Sequence, residues 1–558
     1  MDEAIDRLVT FVRSNHPDKE TLQRFKLNLA RELHLKEVPT DIEILLNSDD
    51  NMFEELRHLL LTKPVRTLSG VSPIAIMTRP FPCPHGACRM CPSLTEKGMS
   101  QSYTGKEPSA RRALRNEYDV YRIVWNRLEQ YVVTGHSFDK IELIIQGGTF
   151  LSFPKDYQEE VITEAFRALN DFSRLFFKQD VFDLQAFKEF FELPGKVGDP
   201  ERITSIWAKI AKNRQDKTAN LEEEQDYNDL HSKIKCVGLT IETRPDWGLA
   251  VHADQMLRFG ATRVELGVQS VYDDVLNAIN RGHTVAQTKQ SIKELKDAGF
   301  KLNFHYMPGL PGIKDTLQDL QGLKSLFDDP DFRPDMLKLY PCIVVKDSIL
   351  YDDFKAGIFH PITTAQAADL LARFKAFIPE YCRVMRVQRD IPSDMIEGGV
   401  NMTNLREAVE RKAIELGIRC RCIRCREIKD VKIQDPQFNI LEYDSSGGKE
   451  FFISLDDSDK LIGFARLRFP AAPNREEITK DSAIIRELHV YGHSVPLGDK
   501  HGDASQHRGF GKLLMEKAEG IARQNGKIKM VIISGVGVRG YYRKIGYQRQ
   551  GPYMVKQL

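Results

Sequence analysis

The sequence predicts an α/β protein: a partly closed barrel of parallel strands, a smaller mixed α/β domain after it, and a small helical region before it. Three observations carry the prediction. Short apolar strands alternate with amphipathic helices through the middle of the chain, the pattern changes near residue 437, and six of nine cysteines sit in two tight clusters. At 558 residues the chain exceeds what one hydrophobic core serves, so two or three domains are expected.

The elements follow in order. Residues 2–14 and 19–34 show helical apolar spacing, with Asp18 and Glu20 near the start of the second helix. This helical region is expected to occupy 1–62. Strand candidates then fall at Ile141–Ile145, Ile234–Ile241, Arg263–Val268, Leu302–Met307, Met336–Tyr340 and Arg383–Val387, with helices between them such as 285–298 and 364–377. Strand–helix repetition of this kind gives a parallel sheet, here expected over 63–381, with functional residues at the strand C-terminal ends. Residues 175–233 break the rhythm. They read as a charged helical insertion over the barrel mouth or rim. A linker at 382–436 and a compact domain at 437–558 complete the order, the latter with strands at Phe451–Leu455, Leu461–Phe469, Ala483–Val490 and Met530–Ser534 and a helix over 509–525.

Composition narrows the function classes. With 41% hydrophobic and 28% charged residues, no run of 18 apolar residues and a charged start, the chain lacks the marks of a membrane span or secretory signal. Clustered cysteines in such a chain point to a reducing cytoplasm and to metal. A net charge of +1 makes the whole molecule a poor polyanion binder, yet residues 63–115 hold nine Lys or Arg against two acids. A second basic grouping runs through Arg383, Arg386, Arg389, Arg419, Arg421, Arg424 and Arg426. Both groupings could be solvated faces or could grip phosphates.

The first cysteine cluster, F-P-C-P-H-G-A-C-R-M-C-P at 81–92, places Cys83, Cys88 and Cys91 in a C-x4-C-x2-C loop. Two readings fit. Three thiolates can hold three irons of a [4Fe–4S] cluster and leave the fourth open to S-adenosyl-L-methionine, or they can hold a zinc with a ligand from elsewhere. Later residues favour the first. Gly147–Gly148–Thr149 follows a strand and can present backbone groups to the amino end of S-adenosyl-L-methionine. Glu242 and Arg244 end the next strand, and Glu265 and Gln269 the one after; Glu242, Arg244 and Gln269 are candidate cofactor contacts. Polar groups at successive strand ends point into one barrel mouth. Lys338 and Tyr340, on a later strand, are the candidate catalytic pair there.

Residues 506–511 read Q-H-R-G-F-G and run into a helix. The pattern resembles the pyrophosphate loop of GCN5-related (GNAT) acetyltransferases, in which Gly509 and Gly511 let backbone N–H groups at a helix N-terminus meet phosphate. In that fold the strand at 484–490 contacts the pantetheine arm of acetyl-CoA. One of Tyr541 and Tyr542 faces the thioester and the other packs. A second cysteine cluster, R-C-R-C-I-R-C-R at 419–426, suits a zinc held by Cys420, Cys422 and Cys425, with Cys382 or a histidine as fourth ligand.

From Lys63 to Leu558 the chain resembles the catalytic-subunit family of Elongator, a radical-S-adenosylmethionine/acetyltransferase fusion. The resemblance rests on K-P-V-R-T (63–67), Q-S-Y-T-G (101–105), E-T-R-P (242–245), E-L-G-V-Q-S-V-Y (265–272), R-V-Q-R-D-I-P (386–392), R-E-L-H-V-Y-G (486–492), Y-Y-R-K-I-G-Y (541–547) and G-P-Y-M-V-K (551–556). It implies formation of a 5-carboxymethyl group on the wobble uridine of tRNA from acetyl-CoA, with tRNA held by its anticodon stem-loop and by the N-terminal region. It implies that Cys83, Cys88 and Cys91 ligate the cluster, and that Lys140, Glu487, Leu488, His489, Val490, Gln506, His507 and Tyr541 line the acetyl-CoA site. Ser505 stands where eukaryotic relatives carry an aromatic residue. The C-x4-C spacing and the complete second cluster resemble the prokaryotic branch. A second copy of the chain is a further candidate partner. The competing readings are a protein lysine acetyltransferase with the barrel as scaffold, and a tRNA-binding adaptor.

Overall fold

The computed structural model describes residues 2–47, 53, 56–57, 59–61, 70–195, 198–214, 219–402, 404–428, 433–492 and 509–558. The chain divides into two compact units. One comprises Met1–Ile74, Asp119–Glu142 and Ile162–Val237, and the other Ala75–Tyr118, Leu143–Val161 and Gly238–Leu558.

In the first unit, helices Asp2–Asn15 and Lys19–Glu32 match the expected spacing. Asp18 caps the second by accepting from Thr21 N at 2.7 Å, satisfying one of the orphan N–H groups of the first turn. The stretch 175–233 is no simple insertion. It holds the end of a long helix (Lys155–Phe176), a small hairpin and helices Leu184–Phe191, Pro200–Arg214 and Leu221–Leu230. Phe172, Phe176, Phe190 and Phe191 pack around the fully buried Trp125 of helix Val120–Val133, whose indole N–H donates to Ala168 O at 2.9 Å. The segment thus shares a core with helices Val120–Val133 and Lys155–Phe176, which the expectation of a charged rim did not foresee.

The strands in chain order are β1 (Ser72–Met77), β2 (Lys140–Gln146), the hairpin β3 (Phe177–Lys178) and β4 (Val181–Phe182), β5 (Lys235–Thr243), β6 (Arg263–Gln269), β7 (Lys301–Tyr306), β8 (Met336–Leu339), β9 (Val344–Val345), β10 (Arg383–Val387) and β11 (Ile396–Gly398). Seven of them form one sheet in the order β1-β2-β5-β6-β7-β8-β10, parallel from β5 to β10. Each expected barrel strand is present within two residues of its bounds, and β1 is additional. Residues 75–77, 143–146 and 238–243, the C-terminal parts of β1, β2 and β5, belong to the second unit.

The second unit also holds the C-terminal sheet, β12 (Gln437–Ser445), β13 (Gly448–Asp457), β14 (Lys460–Phe469), β15 (Ser482–Val490), β16 (Lys529–Ile533), β17 (Gln548–Gln550) and β18 (Tyr553–Gln557), in the order β12-β13-β14-β15-β16-β18-β17. This sheet meets the barrel at the start of its strands, through charges that are completely buried. Asp335, just before β8, receives Arg486 of β15 at 2.6 and 2.8 Å. Arg468 of β14 reaches Asp297 at 2.6 Å and Glu450 at 3.0 Å. Such groups survive burial only when each is paired. No helix among the described residues is long and apolar enough to cross a membrane.

Candidate active site

The loop at 81–92 has no helix or strand; its three prolines and its glycine disfavour one. Its backbone is held from two later segments: Arg89 N donates to Ile279 O at 3.0 Å and Leu350 N to Arg89 O at 2.8 Å, while the Asn280 side chain donates to Ala87 O at 3.0 Å. Cys88 and Cys91 are buried and Cys83 is half-buried. Each thiol has a polar neighbour: Gln101 Nε2 lies 3.2 Å from Cys91 Sγ, Arg281 Nη1 3.5 Å and His85 Nε2 3.3 Å from Cys88 Sγ, and Thr149 Oγ1 3.7 Å from Cys83 Sγ. Burial pushes the Cys91 thiol up to about 11. Donors around sulfur are what a set of metal-bound thiolates requires, so the residues fit a cluster.

Gly147 and Gly148 form the turn beside this loop, both with positive φ (120° and 89°). A Cβ on Gly147 would meet Thr78 Oγ1 at 2.3 Å, so the close approach requires glycine. Gln269 adopts φ 68°, a strained conformation that clusters at functional sites. Its side-chain oxygen and that of Gln146 are buried without a hydrogen-bond partner among the described residues. Both are acceptors at strand ends, suited to the ammonium of an amino acid. Arg244 is committed elsewhere. It pairs with Asp246 and His85 and so braces the cysteine loop.

Below the mouth the inward face of the barrel is polar. Glu265, 1% exposed, accepts from Asn303 Nδ2 at 3.1 Å, from His305 Nε2 at 2.8 Å and from Lys338 Nζ. Lys338 also lies 3.6 Å from Glu242, which accepts from Gln146 Nε2 at 3.2 Å. Burial alone would raise the Glu265 carboxyl, but Lys338 and His305 hold it well below its ordinary range. Oxygens of Glu242 and Glu265 and a ring nitrogen of His305 lie within 4.8 Å of one another, a donor set for a cation. The Lys338 ammonium supplies one. Tyr340 packs edge-on against His305 at 5.5 Å. The expected pair Lys338 and Tyr340 is thus brought together, along with Glu242. Asn303 and His305 were missed by sequence reading, although two polar residues at alternate positions of an apolar strand are a usable signal.

In the C-terminal sheet, β15 pairs with β14 along most of its length but with β16 only over Ser482–Ile485. The two parallel strands therefore part at Arg486, and Glu487–Val490 present an open backbone edge. The Glu487 side chain is taken by Arg466 at 2.8 Å. Helix Phe510–Gln524 begins at Gly509 in a left-handed conformation (φ 76°), and a Cβ on Gly511 would meet Tyr541 Oη at 2.9 Å. Tyr541 is 39% exposed whereas Tyr542 is buried, so Tyr541 is the available tyrosine. Ser505, Gln506 and His507 lie outside the described residues. Lys140 opens β2, six positions from Gln146 at the other end of that strand.

Cys420, Cys422 and Cys425 have their sulfurs within 4.8 Å of one another. Cys382 is fully buried and its carbonyl accepts from Ile423 N at 3.0 Å. The arginines of this region are largely occupied: Arg383 with Glu427, Arg386 with Asp390, Arg419 and Arg421 with Asp459, and Arg426 with Glu380. Arg386, Arg419 and Arg421 remain exposed within these pairs, which hold such side chains only weakly. In the first grouping Arg112 is buried, and Arg111, Arg115 and Lys106 are exposed.

A polar-mouthed partial barrel with a three-cysteine loop, joined to a sheet split for a coenzyme arm, defines a radical S-adenosylmethionine enzyme fused to an acetyltransferase domain. Sequence models agree with each part. The Radical SAM superfamily model matches residues 81–321, the Radical_SAM C-terminal domain 334–415, the Acetyltransferase (GNAT) family 418–547 and the ELP3 N-terminal domain 1–68. The chain is 40% identical to a tRNA uridine(34) acetyltransferase of Methanocaldococcus infernus over 93% of this chain and 92% of that one. It is 39% identical to Elongator complex protein 3 of Saccharomyces cerevisiae (95% and 90% covered) and of Homo sapiens (96% and 93%). The solved archaeal Elp3 of M. infernus, lacking residues 1–46, superposes with a TM-score of 0.71 at 36% identity over 88% of this chain and 100% of that one. The chain belongs to the family of tRNA uridine(34) acetyltransferases and Elongator complex protein 3.

Proposed function

We propose that this chain modifies the wobble uridine of tRNA, forming 5-carboxymethyluridine from acetyl-CoA. The carrying observation is the joining of a three-thiol loop at a polar barrel mouth to a split coenzyme-binding sheet within one compact unit. Uracil C5 and the acetyl methyl are unactivated carbons, which ordinary acid–base chemistry joins poorly. A [4Fe–4S] cluster with S-adenosyl-L-methionine, when bound, supplies one-electron chemistry suited to such carbons.

Cys83, Cys88 and Cys91 would hold the cluster, and Gly147, Gly148, Gln146 and Gln269 the amino-acid end of S-adenosyl-L-methionine. Lys338 and Tyr340 face the reacting groups, and Glu242 at the neighbouring strand end is a further cofactor contact. The open edge Glu487–Val490 would hold the pantetheine arm through its backbone, the segment 505–511 the pyrophosphate, and Tyr541 the thioester. Zinc on Cys420, Cys422 and Cys425, with Cys382 as candidate fourth ligand, would pin the linker. Lys106, Arg111 and Arg115, exposed around one short helix, supply charge for tRNA phosphates, and the N-terminal helices a further tRNA contact; a single-stranded anticodon base can be splayed out to reach a recessed site.

The test is anaerobic reconstitution with iron, sulfide, S-adenosyl-L-methionine, acetyl-CoA and tRNA, followed by mass analysis of nucleosides. Carboxymethyluridine is the expected product. Acetyl transfer to peptide with unmodified tRNA would overturn the proposal.

A further inference from the structure

We propose that Glu265 is the positioning residue of the barrel: it fixes Lys338 and His305 in the one arrangement in which Lys338 and Tyr340 meet substrate. The inference rests on the reading of Lys338 and Tyr340 as groups that touch the reacting molecules.

Glu265 is 1% exposed and gathers donors from three strands. Asn303 and His305 come from β7 and Lys338 from β8, and Arg263 of its own strand lies at 3.7 Å. The register explains why they converge. Glu265 pairs with Asn303 across β6 and β7, and His305 pairs with Lys338 across β7 and β8, so the four side chains share one face on two adjacent rungs. A carboxylate offers about four acceptor sites; three are taken by Asn303, His305 and Lys338, and Arg263 lies beside it as a longer ion pair. Because a carboxylate only accepts, His305 Nε2 carries a proton. When the ring is neutral, Nδ1 is therefore left as its acceptor.

Glu242 cannot substitute for this hub. It sits one strand away, half-buried, and is already engaged by Gln146 and, at 3.5 Å, by the Tyr103 hydroxyl. Were Glu265 neutral, Lys338 would have only the 3.6 Å contact to Glu242 and would swing toward the mouth. Buried charge clusters cost desolvation that well-packed apolar side chains do not, and barrel interiors of this class of sheet are commonly filled with Val, Ile and Leu. A purely structural need would have been met that way.

The experiment is a double-mutant cycle on the reconstituted full chain with Glu265→Gln, Lys338→Gln and both together, reading kcat and KM for uridine modification. It is paired with 15N-histidine NMR of the metal-free chain, with the His305 signals assigned by their loss in His305→Gln. Glu265→Gln keeps the side-chain volume, and thermal unfolding checks that it folds. The expected result is a kcat lowered about a hundredfold, the scale of a misplaced reacting group, with KM for acetyl-CoA and S-adenosyl-L-methionine little changed. The double variant should be no slower than Lys338→Gln alone, and the His305 Nε2 resonance should move in Glu265→Gln. Additive losses, or an unmoved His305 resonance in folded Glu265→Gln, would overturn the proposal. Should Lys338→Gln modify tRNA at the wild-type rate, the reading of Lys338 fails, and the His305 resonance still decides whether Glu265 holds its neighbour.

Discussion

Gly511 and Gly520 occupy the same helix, Phe510–Gln524, but only one of them faces a functional side chain. A Cβ on Gly511 would meet Tyr541 Oη at 2.9 Å, whereas one on Gly520 meets nothing within 4 Å. Gly520 lies in the helix interior, where alanine gains about 1 kcal/mol over glycine, so Gly520→Ala should melt no lower than the parent. Gly511→Ala should lose acetyl-CoA turnover roughly tenfold by displacing the tyrosine, while Gly520→Ala should keep it; melting curves and turnover assays decide. His489 gives a pH prediction. Burial pushes it down to about 4, against about 6.5 in an unfolded chain. The unfolded chain therefore binds the proton first, so this contribution to stability is complete above pH 6.5 and is lost as the pH falls from 6.5 to about 4. Denaturant titrations of His489→Gln across that window should show a flatter profile than the parent. At this scale the sequence revealed residue types well and their orientations poorly. The cysteine loop and the choice between two tyrosines were visible as chemistry, but only packing shows that Tyr542 is buried and Arg112 unavailable to phosphate.

The second cysteine cluster is the element whose stability depends most on something other than packing. Helix Ile423–Arg426 is four residues long, far below the length at which a helix holds itself. Three sulfurs gather beside it, so the zinc proposed there would link metal binding to local folding. Cys420→Ser and Cys425→Ser should each lose bound zinc, measured by elemental analysis, and melt several degrees lower; retention of one zinc per chain would contradict this. Elements were legible where local periodicity decides them. Strands β5 to β8 and β10 read as apolar runs between helices because both faces of a parallel sheet are covered. β12 escaped although Phe438, Ile440, Leu441 and Tyr443 are apolar, because it lies at the sheet edge with most of its residues exposed and those positions do not alternate strictly. The helices of 175–233 were legible but their packing was not, because Phe176, Phe190 and Phe191 meet Trp125, 51 to 66 residues earlier.

For the molecule as a whole, the two chemistries are joined by buried charge. Asp335 touches Arg486 and lies 3.5 Å from Arg466, and its backbone opens the strand that carries Lys338. Asp335→Ala would leave two buried guanidinium groups short of a partner and should destabilise the second unit by about 3–5 kcal/mol. Asp459→Ala, which removes the half-buried surface partner of the exposed Arg419 and Arg421, should cost no more than about 1 kcal/mol. Calorimetry on the two variants makes the comparison. Charged residues in the apolar strands β14 and β15 were plain in the sequence, but their barrel partners, Asp297 and Asp335, come from more than a hundred residues away and could not be paired without the fold. The central claim is that the barrel performs the chemistry and the acetyltransferase-like sheet supplies its substrate. The most direct measurement is nucleoside mass analysis of tRNA incubated anaerobically with Cys88→Ala, S-adenosyl-L-methionine and saturating acetyl-CoA. The account predicts that this variant still binds acetyl-CoA and yields no carboxymethyluridine. Carboxymethyluridine formed at the parent rate would reduce the barrel to a scaffold and contradict the account.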